Sequence, residues 1–175
     1  MAGSRVPLLV VVLIMLGIVI LIAMLLRRDS VHETRISTDH VEITAYIRDG
    51  AAASFSLVLD IAPRERIRIY APGADEYRGI TLAVAPTPSL QFRPVKFSTP
   101  ERLHLPGPDD GVAIYRKPFR VIQDVSISAV PGGARGSQEI EHVIVRGVLE
   151  YHACDDRVCF PPAAVPLSWT VPPPR

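Results

Sequence analysis

Apolar and polar residues alternate with a period of two through much of the chain after residue 40, which predicts strands rather than helices. Two such runs, residues 41–47 and 54–61, flank a short segment that contains Gly50, and this arrangement predicts a β-hairpin. Residues 143–151 and 165–171 alternate in the same way, with Gly147 as the one gap on the apolar face. These four runs predict two pairs of strands.

The middle of the chain is interrupted by prolines. Short apolar runs at residues 67–70 and 80–84 are followed by prolines at positions 86, 88, 94, 100, 106 and 108, and proline lacks the N–H that a β-ladder needs. We therefore expect edge strands and long connections here. With a further run at 119–129, about eight short strands predict an all-β fold, an antiparallel β-sandwich over residues 41–171 that leaves residues 172–175 as a tail.

Residues 6–26 form a stretch of twenty-one residues without a charge. As a helix it would be about 30 Å long, which matches the hydrocarbon core of a bilayer. A cleavable signal peptide is the alternative, but such apolar cores usually run for about 7 to 15 residues and end at a small-x-small site. The pattern predicts residues 1–5 as a stub, 6–26 as a retained transmembrane anchor and the polar segment 27–40 as a juxtamembrane linker.

Charge gives two further indications. Arg27, Arg28 and Arg35 follow the apolar stretch and only Arg5 precedes it, so the positive-inside rule would place the C-terminal domain in the cytoplasm. The net charge is +1 with no basic run, so nucleic acid is not an expected partner.

We find no G-x-S-x-G, no phosphate-binding loop and no C-x-x-C pair, and we expect no cofactor.

Both cysteines, Cys154 and Cys159, lie in the segment YHACDDRVCFPP with four residues between them. If the alternation of 143–151 continues, Cys154 points to the polar face with His152, and this predicts an accessible thiol. A four-residue hairpin loop would place the cysteines opposite each other at about 4.5 to 5.5 Å between Cα atoms, which suits a disulfide. So short a bridge would stabilise the fold by only about 2 kcal/mol, which favours a labile bond over a staple.

The neighbouring charges are mixed. His152 and Arg157 would stabilise a thiolate, whereas Asp155 and Asp156 would oppose it. A metal clip built from His152 and the two cysteines is an alternative, but structural zinc usually takes four ligands, and we do not expect a metal. A non-enzymatic, protein-binding sandwich with a structural hairpin disulfide is the other alternative to a redox pair.

The segment GVLEYHACDDRVCFPPAAVPLSWTV, residues 147–171, resembles the end of the N-terminal domain of the thiol:disulfide interchange protein DsbD. In both, a strand with a tyrosine, here Tyr151, leads into a cysteine, an acidic loop, a second cysteine, an aromatic residue, two prolines and a VPL strand. Weaker similarity extends through IRIYAPG, YRGITL, LHLPG and AIYRKPFRV. The resemblance implies an immunoglobulin-like sandwich outside the cytoplasmic membrane and a redox-active Cys154–Cys159 disulfide, with Cys159 forming the mixed disulfide with a partner.

The same resemblance implies a role in electron transfer, that of a thiol-disulfide oxidoreductase. Electrons would come from a thioredoxin-like or membrane donor on a separate chain, and would pass to oxidised extracytoplasmic proteins such as disulfide isomerases or cytochrome c maturation factors. The family shields its cysteines with a cap loop, and the matching segment LPGPDDGVAIY supplies Asp109 and Asp110 without a clear aromatic residue. The expected location is the cytoplasmic membrane, with one pass and the C-terminal domain in the periplasm, opposite to the charge count.

Overall fold

The computed structural model describes residues 33–50, 53–74, 77–88, 90–104, 111–127 and 143–171, together with Met15. The chain divides into two compact units, Met1–Ser30 and Val31–Arg175. The described residues contain no helix that is both long and apolar enough to cross a membrane. The predicted anchor at 6–26, except for Met15, lies outside the described residues, as do the stub 1–5 and the tail 172–175.

The described part of the second unit consists of strands and connections. Its thirteen strands are β1 (Thr34–Ser37), β2 (Val41–Asp49), β3 (Ser54–Pro63), β4 (Arg68–Tyr70), β5 (Thr81–Val84), β6 (Leu90–Phe92), β7 (Lys96–Phe97), β8 (Glu101–Leu103), β9 (Val112–Tyr115), β10 (Phe119–Ile127), β11 (Val143–Tyr151), β12 (Ala153–Cys154) and β13 (Ala163–Val171). The strands β6, β7 and β8 lie in the proline-rich middle of the chain. They are short because each proline lacks the N–H that a ladder hydrogen bond needs.

All described strand pairs are antiparallel, and they form three sheets. The largest has the order β1-β2-β3-β10-β6, with β7 also paired to β10. The second has the order β13-β11-β5, and the third has the order β12-β4-β9-β8. The expectation of an all-β, antiparallel fold is confirmed for the described residues.

One hydrophobic core joins the three sheets. Leu57 and Leu59 come from the largest sheet, Leu149 from the second and Ile69 from the third, and all four are fully buried. The predicted pairs are also confirmed: Ile43 lies opposite Ile61, and Val145 lies opposite Trp169. Antiparallel sheets that pack on one another through a shared apolar core form a β-sandwich.

The structure differs from the sequence prediction in the linker. Residues 34–37, which were expected to lie in a polar tether, form β1 and extend the largest sheet beyond β2, with Ile36 opposite Ile43. Only Ile36 in this strand is partly buried against the core. A four-residue edge strand with one inward side chain gives too little alternation to be recognised in sequence.

The gap at Gly147 also has a structural cause. A Cβ added there would lie 2.9 Å from the carbonyl oxygen of Ala83 and 3.1 Å from the Trp169 ring. Trp169 is 3% exposed, so its indole fills the space that a side chain at 147 would otherwise occupy. The apolar face of β11 is therefore continuous, although one of its residues has no side chain.

Candidate functional site: a disulfide hairpin

The two cysteines face each other across a tight hairpin. Cys154 and Cys159 form an antiparallel bridge and a disulfide, with their Cα atoms 4.0 Å apart. The backbone N–H of Asp155 donates to the carbonyl of Val158, and that of Phe160 donates to the carbonyl of Ala153, both at 2.9 Å. The predicted pairing across a four-residue loop is therefore present, at a shorter Cα separation than expected.

Asp155 organises this loop. Its carboxylate oxygen Oδ1 accepts hydrogen bonds from the backbone N–H groups of Arg157 and Val158, each at 2.7 Å. These two hydrogen bonds, first that from Val158 and then that from Arg157, lower the pKa of Asp155 below its ordinary value. The carboxylate that the sequence suggested would oppose a thiolate is thus engaged in holding the turn.

We expect the Asp155→Ala variant to loosen the turn that keeps the sulfurs together. The equilibrium between disulfide and dithiol in a glutathione buffer should shift severalfold toward the dithiol, because two charge-assisted hydrogen bonds hold the bonded geometry. Alkylation of free thiols followed by mass spectrometry measures that ratio. Asp155→Asn keeps an acceptor oxygen and should retain most of the wild-type ratio, and the exposed Glu150→Ala should retain all of it. A ratio unchanged in Asp155→Ala would show that the turn forms without the carboxylate.

We also expect the loss of stability in the Asp155→Ala variant to depend on pH. Because the pKa of Asp155 is lowered in the folded chain, its contribution is complete above the ordinary value of about 3.9 and is lost as pH falls through the lowered pKa. The difference in urea midpoint between wild type and Asp155→Ala should therefore be constant from pH 7 to 5 and should shrink below about pH 4. A difference that grows as pH falls would have the wrong sign for this account.

Cys154 is buried, and the prediction that it is accessible is wrong. It has no exposed surface, whereas Cys159 is an exposed residue. The alternation of β11 does turn Cys154 away from the main core, where Tyr151 and Ala153 lie. However, the chain leaves the second sheet at His152, and β12 joins β4 of the third sheet, where other side chains cover that face.

We call these side chains the cover cluster. It consists of the buried Tyr70 and Ile114 with the partly buried Ala74, Tyr77, Leu103 and Val112, and these side chains pack around the buried Cys154. The rings of Tyr70 and Tyr77 are stacked, with centroids 4.5 Å apart. The Nδ1 atom of His152 lies 3.0 Å from the carbonyl oxygen of Tyr77, and its ring centroid is 6.3 Å from that of Tyr70. An aromatic cover for Cys154 is therefore present, and it is formed by Tyr70 and Tyr77.

The predicted cap loop is described only in part. Asp109 and Asp110 lie outside the described residues. The end of the same segment is described as β9, and its Val112 and Ile114 belong to the cover cluster. Leu103, just before the undescribed stretch, belongs to it as well.

Arg68 is the charged residue that sequence reasoning missed. It is the cross-strand partner of Cys154, and it lies on the same face of β4 as Tyr70, since Ile69 between them points into the main core. Its side chain is 19% exposed, and its Nη1 atom pairs with Asp156 Oδ1 at 3.3 Å. Among the described residues, the buried Nε of Arg68 has no hydrogen-bond partner. A partly buried cation thus lies on the Cys154 side of the hairpin.

The remaining predicted site residues are placed as follows. Tyr151 is 3% exposed, and burial raises its pKa; its hydroxyl forms a 3.0 Å hydrogen bond with Thr38 Oγ1. The His40 ring, from the predicted linker, is 4.5 Å from that of Phe160, just after Cys159. Arg157 is exposed. The Asp156 carboxylate forms an ion pair with Arg68. Tyr151 therefore lies buried at the base of the hairpin.

Comparison with known proteins supports the fold. No protein-family model matches the sequence, and no curated protein sequence matches it. Among solved structures, the N-terminal periplasmic domain of ScsB from Proteus mirabilis aligns with a TM-score of 0.52 at 14% identity, over 79% of this chain and 51% of that one. This chain is an immunoglobulin-like β-sandwich with a hairpin disulfide. It spans about half the length of the ScsB domain, and at this identity the similarity extends to the fold alone.

Two other similar structures are GAE domains from yeast. The GAE domain of GGA2p from Saccharomyces cerevisiae aligns with a TM-score of 0.44 at 6% identity, over 80% of this chain and 97% of that one. The yeast GGA1 GAE domain aligns with a TM-score of 0.42 at 11% identity, over 81% of this chain and all of that one.

Proposed function

We propose that this chain is a thiol:disulfide exchange module that passes electrons between a thioredoxin-like or membrane donor and oxidised partner proteins. The observation that carries the proposal is the unequal burial of the two bonded cysteines. Cys159 is exposed at the end of the hairpin loop beside Val158, an apolar residue that is 54% exposed, whereas Cys154 is fully buried beneath the cover cluster. A bond that only stapled a hairpin would need no such difference.

We propose a different role for each sulfur, on the basis of their unequal burial. A donor thiolate attacks Cys159 Sγ, the S–S bond breaks, and Cys154 leaves as a thiolate on the Arg68 side of the hairpin. The second donor thiol then resolves the mixed disulfide, which leaves Cys159 as a thiol and Cys154 protonated by the medium. In the second half, the Cys159 thiolate attacks the disulfide of an oxidised protein, and Cys154 resolves that intermediate. Two electrons thus move from donor to acceptor.

The reduction potential of the pair tests this function. A working exchange pair has a potential between about −270 and −120 mV, whereas structural disulfides lie below about −300 mV. Equilibration of the wild-type chain with dithiol and glutathione buffers, followed by alkylation and mass spectrometry, gives the value. The double Cys154→Ser, Cys159→Ser variant sets the baseline. We expect a potential in the working range, and one below −300 mV would favour the structural hairpin disulfide instead.

We also propose that the β-sandwich lies outside the cytoplasm, tethered by residues 6–26. The reason is chemical: a cytosolic pair would be kept reduced by the thiol pool, and a disulfide carrier belongs in an oxidising compartment. A reporter enzyme that is active only in the periplasm, fused after Trp169, should be active. Activity of a cytoplasm-specific reporter at the same position would overturn the location and agree with the positions of Arg27 and Arg28.

A further inference from the structure

Three side chains that bind soft metal ions meet at the disulfide. One ring nitrogen of His152 and the Sγ atoms of Cys154 and Cys159 all lie within 4.8 Å of one another. In the oxidised chain the two sulfurs are bonded to each other and hold no ion. Reduction of the bond turns them into two thiols, which bind metals as thiolates. The site therefore exists only in the dithiol form.

The histidine is oriented for this role by its backbone contact. A carbonyl oxygen only accepts hydrogen bonds, so the 3.0 Å contact with Tyr77 requires His152 Nδ1 to carry the proton. The neutral ring then has its free lone pair on Nε2. Metal-binding histidines commonly donate their other ring N–H to a carbonyl or carboxylate in this way, which fixes both tautomer and ring orientation.

The donor set favours a soft monovalent ion. Two thiolates with one imidazole suit Cu(I), whereas structural zinc takes four ligands. The nearest carboxylates are already engaged, since Asp155 accepts two backbone hydrogen bonds and Asp156 pairs with Arg68. Cu(I) held by two thiolates carries a net charge of −1, and Arg68, which also pairs with Asp156, is the cation on the Cys154 side of the hairpin.

We propose that the reduced chain binds one Cu(I) ion through His152, Cys154 and Cys159. Binding releases two thiol protons to the medium. When the pair reduces a partner disulfide, the two thiolates give up two electrons and form the Cys154–Cys159 bond, while the partner takes up two protons and becomes a dithiol. Copper leaves as Cu(I) without a change of valence. Ion binding and electron transfer therefore exclude each other, and this regulation rests on the proposed function.

Competition for Cu(I) tests the site. The full chain is reduced chemically, freed of reductant and titrated without oxygen against a Cu(I) complex of the chromogenic chelator bicinchoninate. We expect one ion per chain, at least about tenfold weaker binding by His152→Ala, and unchanged binding by the exposed-histidine control His104→Ala. The oxidised chain should take up none. Failure of the reduced wild type to compete, or equal affinity in His152→Ala, would overturn the three-ligand site.

A second measurement covers misfolding of the variant. X-ray absorption at the copper edge of the loaded wild type should show two sulfur ligands and one nitrogen ligand, and sulfur ligands alone would overturn the site. Chemical reduction makes the result independent of any electron donor. Copper binding combined with a potential below −300 mV would leave the metal site standing and remove the exchange function, whereas a working potential without copper binding would do the reverse.

Discussion

The Cys154→Ser variant should react rapidly with glutathione disulfide, whereas Cys159→Ser should react at least about tenfold more slowly. The reason is access: Cys159 is exposed on the loop, and Cys154 has no exposed surface beneath Tyr70 and Ile114. Thiol exchange requires the attacking thiolate to reach the disulfide in line, so burial acts directly on its rate. Mass spectrometry of the glutathionylated chain over time measures both rates.

Unfolding supplies the matched control. In concentrated urea the cover cluster is lost, and the two single-cysteine variants should then react at similar rates. With an oxidised partner protein in place of glutathione disulfide, Cys154→Ser should accumulate a stable mixed disulfide on a non-reducing gel. Equal rates in the folded variants would show that the unequal burial has no chemical consequence, and the assignment of Cys159 as the sulfur that exchanges with partners would then fail.

Replacement of Arg68 by Met should slow reduction of the disulfide by about tenfold. Met retains much of the aliphatic bulk of Arg68 but removes the cation on the Cys154 side of the hairpin. Without it, the buried Cys154 thiolate is less stable, and a leaving thiol with a higher pKa departs more slowly. The rate of reduction by dithiothreitol measures this effect, and ultraviolet absorbance of the thiolate gives the pKa of Cys154 in Cys159→Ser, which should rise with Arg68→Met.

Two other variants test whether the effect depends on where the positive charge of Arg68 lies. Arg157→Met removes the same charge from an exposed loop residue and should have a much smaller effect. Asp156→Asn removes the carboxylate that pairs with Arg68 at 3.3 Å, and should change the pKa of Cys154 in the opposite direction. If Arg157→Met slowed reduction more than Arg68→Met, the loop arginine suggested by the sequence would be the functional one.

Alternation predicted the parts of the fold in which a strand keeps one face in the core. The β2–β3 hairpin and the β11–β13 pair were recognisable because each strand has nine or ten residues with one regularly buried face. The same reasoning failed at Cys154, because it assumed that β11 continues in one sheet. The chain changes sheets at His152, and the face opposite the main core, which is solvated along β11, is covered at β12.

The surroundings of the cysteines could not be found from the local sequence. Arg68 and Tyr70 reach Cys154 through strand pairing between distant parts of the chain. In sequence, Arg68 is one charge in a short alternating run, and such residues usually face solvent. The family resemblance included IRIYAPG, which contains both Arg68 and Tyr70, but assigned neither of them a role. What the spacing of the cysteines did predict was the local feature, a hairpin that places the sulfurs opposite each other.

The cover cluster also fixes the order in which this site can be assembled during synthesis. The cysteines are separated by only five positions, so the unfolded chain closes that loop on a submicrosecond timescale. Covering Cys154 instead requires β12 to pair with β4, and β4 with β9, and both strands lie far from the cysteines in sequence. Such nonlocal pairing is slower than closure of a short loop. The unfolded chain therefore exposes both sulfurs to thiols and disulfides in its surroundings. Once folding is complete, only Cys159 remains open to exchange.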